Sequence, residues 1–171
     1  PAAFIGRARV VPLRNMGAAI SPFNSFLILQ GIETLAVRMD RICDNSLAVA
    51  RYLQKHPKVR WVNYAGLPDH PSHALAQKYM GGRASGILTF GIDGGLAGGA
   101  RFQDALKLFV RLVNIGDAKS LACHPASTTH RQLNPAELER AGVSEDMVRL
   151  SVGIEHVDDL LADLEQALAA T

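Results

Sequence analysis

The chain has 171 residues, of which 48% are hydrophobic and 6% aromatic, and 18 Lys and Arg against 16 Asp and Glu give a net charge of +2. That is enough apolar material for one folded domain to bury roughly 70% of its unfolded surface, and it excludes disordered, collagen-like and linker chains. Charges are scattered without a basic run, no apolar stretch is long enough to span a bilayer, and Cys43 and Cys123 stand far apart; nucleic acid and membranes are therefore not expected partners, and a reduced, cytoplasmic setting is expected.

Residues 4–16 are basic and apolar, and Pro12 is expected to interrupt any helix there. A chain starting at Pro1 inside such a segment is expected to be cut from a longer one. Ser21-Pro22 marks a helix start, because serine caps and proline fits the first helical position. Ile28, Ile32, Leu35, Met39, Ile42, Val49 and Leu53 then recur at helical spacing, predicting one long helix with Gly31 as a break near its start and His56-Pro57 as its end. Strands are predicted at 59–64 and 87–92, with a short helix over 72–80 between them. The glycine segment 94–99 reads as a flexible strand-to-helix turn. It matches neither dinucleotide nor P-loop spacing. Apolar strands are predicted at 112–115 and 118–123. Asn134-Pro135-Ala136-Glu137 has the form of a capping box, 148–154 alternates as a last strand, and 157–169 is an amphipathic last helix. Strands alternating with helices predict an α/β fold with one sheet, whose short connections permit antiparallel pairing.

Few residues offer chemistry. The pairs His70/His73 and Cys123/His124 lack third and fourth ligands at metal-like spacing. No serine sits in an exposed-elbow motif, and both cysteines stand among apolar neighbours. Arg149 is more informative. In the segment 147–154, Val148, Leu150, Val152 and Ile154 share one face of a strand, while Met147, Arg149 and Ser151 share the other. A guanidinium in mid-strand must be paired or face a ligand, because it cannot lose its charge, and its fork matches a carboxylate. From spacing alone, an ion pair with an internal Asp or Glu is favoured over ligand binding.

Several stretches nevertheless fall in order along the chain as landmarks of one family. These are Ser21-Pro22-Phe23-Asn24, Leu29-Gln30-Gly31-Ile32-Glu33-Thr34-Leu35, Gly116-Asp117-Ala118-Lys119-Ser120-Leu121, His124-Pro125-Ala126-Ser127-Thr128-Thr129-His130 and Val148-Arg149-Leu150-Ser151-Val152-Gly153-Ile154-Glu155. They resemble the pyridoxal-phosphate enzymes of cysteine and methionine metabolism over essentially the whole chain. The third and fourth stretches are most similar to members that make homocysteine from O-acetyl-L-homoserine and sulfide, in methionine biosynthesis by transsulfuration-type chemistry. Cystathionine-forming and methionine-cleaving members are the alternatives within the family. A stand-alone carboxylate-binding or oligomerisation module is the alternative outside it.

The resemblance implies the small C-terminal domain of an aspartate-aminotransferase-like (fold type I) enzyme: one mainly antiparallel sheet with helices packed on it. Residues 1–20 would be the tail of a large cofactor domain, and 21–171 the substrate-clamping domain with its long connecting helix. Arg149 would clamp the α-carboxylate of an amino-acid substrate, and Ser120 would be a second contact near it. The family's cofactor lysine stands in a Ser-x-Thr-Lys context, which none of Lys55, Lys58, Lys78, Lys107 or Lys119 has. Pyridoxal phosphate would thus be held in the full-length enzyme by the missing N-terminal domain. The chain alone is expected to be inactive, and the enzyme to be a homo-oligomer, a tetramer in the family.

Overall fold

Local chemistry sets most helix starts in the computed structural model, which describes residues 2–171. Pro1, the first residue of the expected tail, lies outside the described residues. Two compact units divide at Ala36 and Val37.

In the first unit, Pro12 does not stop the helix. α1 (Ala2–Ala8) runs through a wide π-type turn at Arg9–Leu13 into α2 (Arg14–Met16). A widened turn absorbs a proline because it reroutes hydrogen bonds around the missing N–H. The Arg14 N–H is accordingly shared between the Arg9 and Val11 carbonyls. α3 (Pro22–Glu33) begins as expected, with the Ser21 hydroxyl accepting the Asn24 N–H at 3.1 Å and Pro22 in the first turn. The expected single long helix is broken at Thr34, not Gly31: Thr34 takes φ −99°, ψ 0° between α3 and α4 (Leu35–Lys55). That bridge conformation ends one helix before the next begins. The apolar stripe is buried only from Ile42 onward, where Ile42, Val49 and Leu53 are enclosed, whereas α3 buries none of its residues.

The second unit is a five-stranded sheet with helices against one face. Its strands are β1 (Val59–Asn63), β2 (Ile87–Ile92), β3 (Val110–Arg111), β4 (Leu121–Cys123) and β5 (Met147–Ser151), in the order β1-β2-β5-β4-β3. All neighbours are antiparallel except the β3/β4 pair at one edge. The last strand in sequence thus lies at the centre. Leu88, Phe90 and Ile92 of β2, with Val148 and Leu150 of β5, share a buried core with Val49 and Leu53 of α4, with Phe102 of α6 (Gly95–Ala105), and with Leu160, Leu164 and Leu168 of α8 (Val157–Ala169). The Phe90 and Phe102 rings meet edge to face, 5.6 Å apart. The opposite face carries Thr89, Cys123, Arg149 and Ser151, as the period of two requires.

Two expectations change. The apolar run 112–115 is not a strand: the chain leaves the sheet after Arg111, and Leu112, Val113 and Ile115 are exposed. β4 offers that edge only two partners, Leu121 and Ala122, so strand propensity has nothing further to pair with. The glycine segment is not merely a turn. Gly94 makes the turn at φ 91°, but Gly98 and Gly99 are already in α6 and buried, and a Cβ on Gly99 would enter the His124 ring. The remaining helices follow expectation: α5 (His73–Met80) closes at Gly81, and α7 (Pro135–Arg140) has the full Asn134/Glu137 capping box. Among the described residues, no helix is long and apolar enough to cross a membrane.

Candidate substrate-binding site

Arg149 stands in the middle of the central strand. Across the ladder it pairs with Thr89 on one side and Cys123 on the other, placing a hydroxyl, a guanidinium and a thiol in one row. Ser151 lies two residues along β5 on the same face. Arg149 is half-buried, and no carboxylate lies within ion-pair distance of it among the described residues. Its one hydrogen bond runs from Nη2 to the Asn114 carbonyl at 3.2 Å. The internal ion pair favoured by spacing alone is therefore absent among the described residues. A cation with five N–H donors is left with a single neutral acceptor, suited to accept an anion bidentately.

Ser120 is placed differently from the expected second contact. It is fully buried, its N–H and hydroxyl donate to the Glu155 carboxylate at 2.6 and 2.8 Å, and its oxygen accepts the Gly153 N–H at 2.8 Å. Both donors that could reach a ligand are thus committed to Glu155. Ser120 falls three residues before Cys123, the β4 partner of Arg149, and no hydrogen bond joins the two candidate residues. What Ser120 does is close a brace. The Asn45 amide of α4 donates to the Gly153 and Glu155 carbonyls at 3.0 and 2.9 Å, and the Ile154 N–H donates to the Ala118 carbonyl at 3.0 Å. Gly153 is required there, because a Cβ would strike the Ala118 carbonyl. This brace, which fastens the exit of the Arg149 strand to β4 and α4, escaped sequence reasoning. Its one signal was polar Asn45 and Ser46 inside an apolar stripe.

Other candidate groups are occupied structurally. His124 is fully buried, with Nδ1 2.8 Å from the Ser127 hydroxyl and Nε2 2.8 Å from the Glu145 carbonyl. His70 meets Asn63 and His73 meets the Ala65 carbonyl. No group of three potential metal ligands occurs among the described residues. Burial pushes the Cys43 thiol up, away from reactive thiolate. Lys58 donates to the carbonyls of Leu168, Ala169 and Thr171, while Lys55, Lys78, Lys107 and Lys119 are exposed. A cavity of about 570 Å³ beside β1 and α7 is lined by Trp61, Leu138 and Val143 and does not include Arg149.

Comparison with known proteins accords with this geometry. The family described as Cys/Met metabolism PLP-dependent enzyme matches residues 5–169. The chain is 53% identical over 167 residues to O-acetyl-L-homoserine sulfhydrylase 1 of Thermus thermophilus, covering 98% of this chain and 40% of that protein. It is 46% identical to the L-methionine gamma-lyase of Pseudomonas putida, covering 99% of this chain and 42% of that one. A Campylobacter jejuni structure described as an O-acetylhomoserine (thiol)-lyase superposes with a TM-score of 0.89 at 43% identity, covering 99% of this chain and 40% of that one. That relative carries its pyridoxyl-lysine outside the region matched here. The chain thus spans about 40% of the length of these relatives and matches part of a fold type I enzyme. With a helix-backed, mainly antiparallel sheet that presents an arginine unpaired by any carboxylate among the described residues, and with a match running from residue 5 to residue 169, the chain belongs to the pyridoxal-phosphate-dependent enzymes of cysteine and methionine metabolism.

Proposed function

We propose that this chain is the substrate-clamping part of an enzyme that makes homocysteine from O-acetyl-L-homoserine and sulfide, and that Arg149 holds the substrate's α-carboxylate. The domain boundary expected near residue 20 belongs to the same proposal, with the preceding residues as the end of the cofactor domain. One observation carries the reading: a mid-strand arginine whose only acceptor among the described residues is the neutral Asn114 carbonyl. The identities to sulfhydrylases support the substrate, and the rival module loses support because the family matched over residues 5–169 is one of enzymes.

This chain's residues do not fit the anchoring of the family's cofactor. Each lysine is either exposed or, as Lys58, committed to backbone carbonyls. The chemistry that pyridoxal phosphate supplies is assigned to residues outside this chain. The share of this chain is orientation. Two parallel N–H···O bonds from one guanidinium fix both the position and the rotation of the carboxylate, and so fix which bonds at the α carbon face the reacting centre. Ser120 belongs to the site as a positioning residue, holding Glu155 and through it the exit of β5.

A second reading, cleavage of methionine, is supported by the 46% identity to a methionine gamma-lyase. Exposed apolar residues along α3 support burial against the cofactor domain or another copy in an assembled oligomer, and two unbonded cysteines support a reducing, cytoplasmic setting.

The test is kinetic, in the full-length protein. Arg149→Leu removes a carboxylate partner worth about 2–5 kcal/mol, raising KM for O-acetyl-L-homoserine by at least about 30-fold. Arg149→Lys rescues little, because an ammonium lacks the fork. Unchanged KM in both variants would overturn the assignment, and turnover of methionine in preference to O-acetyl-L-homoserine with sulfide would favour the second reading.

A further inference from the structure

The row that holds Arg149 contains an anomaly. Thr89 Oγ1 and Ser151 Oγ are both shut off from solvent, and neither has a hydrogen-bond partner among the described residues. Ser151 as a whole is only 3% exposed. A buried hydroxyl without a partner costs free energy, and native structures rarely leave two on one face without a reason. Both flank the same cation. Thr89 is its direct cross-strand neighbour, where Cβ atoms stand about 5 Å apart, and Ser151 is the next same-face residue on its own strand, about 7 Å away.

We infer that Ser151 and Thr89 are positioning residues for Arg149. With a carboxylate seated on the fork, two of the five N–H groups point at the ligand and three remain to be satisfied. The two hydroxyls then accept from the guanidinium, in place of the Asn114 carbonyl. Their chemistry suits the task. A hydroxyl accepts an N–H without neutralising the charge, whereas an Asp or Glu in either position would compete with the ligand for the cation. Their lack of partners without ligand is the counterpart of their use with it. This inference rests on the carboxylate-clamp reading of Arg149 and goes beyond it by naming what orients the clamp.

The test uses the full-length protein carrying Ser151→Ala, the near-isosteric Thr89→Val, Arg149→Leu, and each hydroxyl variant combined with Arg149→Leu. Calorimetry reads the Kd of L-norleucine, an α-amino acid without a leaving group, and thermal melts read Tm. Each hydroxyl variant should raise Kd by about 10-fold or more, the effect of one hydrogen bond to a charged group. Tm should stay level or rise, since the hydroxyls have no bond to lose in the free protein. In the Arg149→Leu background neither substitution should weaken binding further. Unchanged Kd in both hydroxyl variants, with Arg149→Leu clearly weakened, would overturn the inference and leave the clamp standing. A fall in Tm without a change in Kd would also overturn it, as would equal weakening with and without Arg149. If Arg149→Leu itself binds norleucine normally, the clamp reading fails, and this inference falls with it.

Discussion

Asp163 on α8 is a carboxylate in the core that serves the backbone instead of a cation. It is 6% exposed, on a helix face shared with fully buried Leu160, Leu164 and Leu168. Its two oxygens accept the backbone N–H groups of Lys107, Leu108 and Phe109, each at 2.9 Å, and a fourth bond from the Gln166 amide at 2.9 Å. Those three N–H groups follow α6 directly and lead into β3, so Asp163 fixes how the chain turns from helix to sheet edge. Asp163→Ala strands them. The Phe109 bond is buried and costs about 2–3 kcal/mol when lost, while the two partly buried donors find water at about 1 kcal/mol each. Alanine's better helix propensity returns roughly 0.5 kcal/mol, so the net loss is about 3.5–4.5 kcal/mol. Asp163→Asn keeps one acceptor oxygen and should lose about half as much. Urea unfolding read through Trp61, the only tryptophan and a residue of β1, reports on this unit directly. With a slope near 2 kcal/mol/M, the midpoint should fall by about 2 M for Ala. An Asp163→Ala midpoint within about 0.5 M of wild type would show that these bonds do not hold the turn.

Gly99→Ala should destabilise the same unit by about 1–3 kcal/mol, because its methyl would enter the ring of His124, which is itself pinned on both nitrogens; a melt matching wild type would refute the close approach. Alkaline pH should weaken the fold through Tyr64, whose phenol is pushed well above its ordinary value, first by burial and then by neighbouring Cys43 and Asp44. A raised acid contributes stability that is complete below its unfolded pKa of about 10 and is lost as pH rises from there toward the folded value. Tyr64→Phe should flatten that loss, seen as a shallower fall of Tm with pH above about 10, even though it gives up the 2.9 Å bond to the Ser85 carbonyl.

What was legible in the sequence was local. The Ser21-Pro22 start, the Asn134/Glu137 capping box and the α8 stripe are each written within a few residues and form as read. The alternation in 147–151 put Arg149 on the correct face for the same reason. Where partners come from afar, reading failed. Whether 112–115 pairs depends on how much of β4 is offered, and Gly99 is explained only by His124 arriving from 25 residues downstream. The partner of Ser120 lies beyond the end of the central strand, so the family resemblance placed the residue near the site but not what it holds. The absence of an ion pair at Arg149 among the described residues is likewise a fact of three dimensions, since the chain has 16 acids that spacing could have offered it.

The central claim is that Arg149 recognises a carboxylate, and changing the ligand tests it more directly than changing the protein alone. In the full-length protein, L-norleucine should bind at least about 30-fold more tightly than L-norleucinamide, which keeps the α-amine and side chain but presents no charged oxygens. In Arg149→Leu the two ligands should bind alike. If the variant preserves the full preference for the acid, the carboxylate is held elsewhere, and the arginine on the central strand is not its clamp.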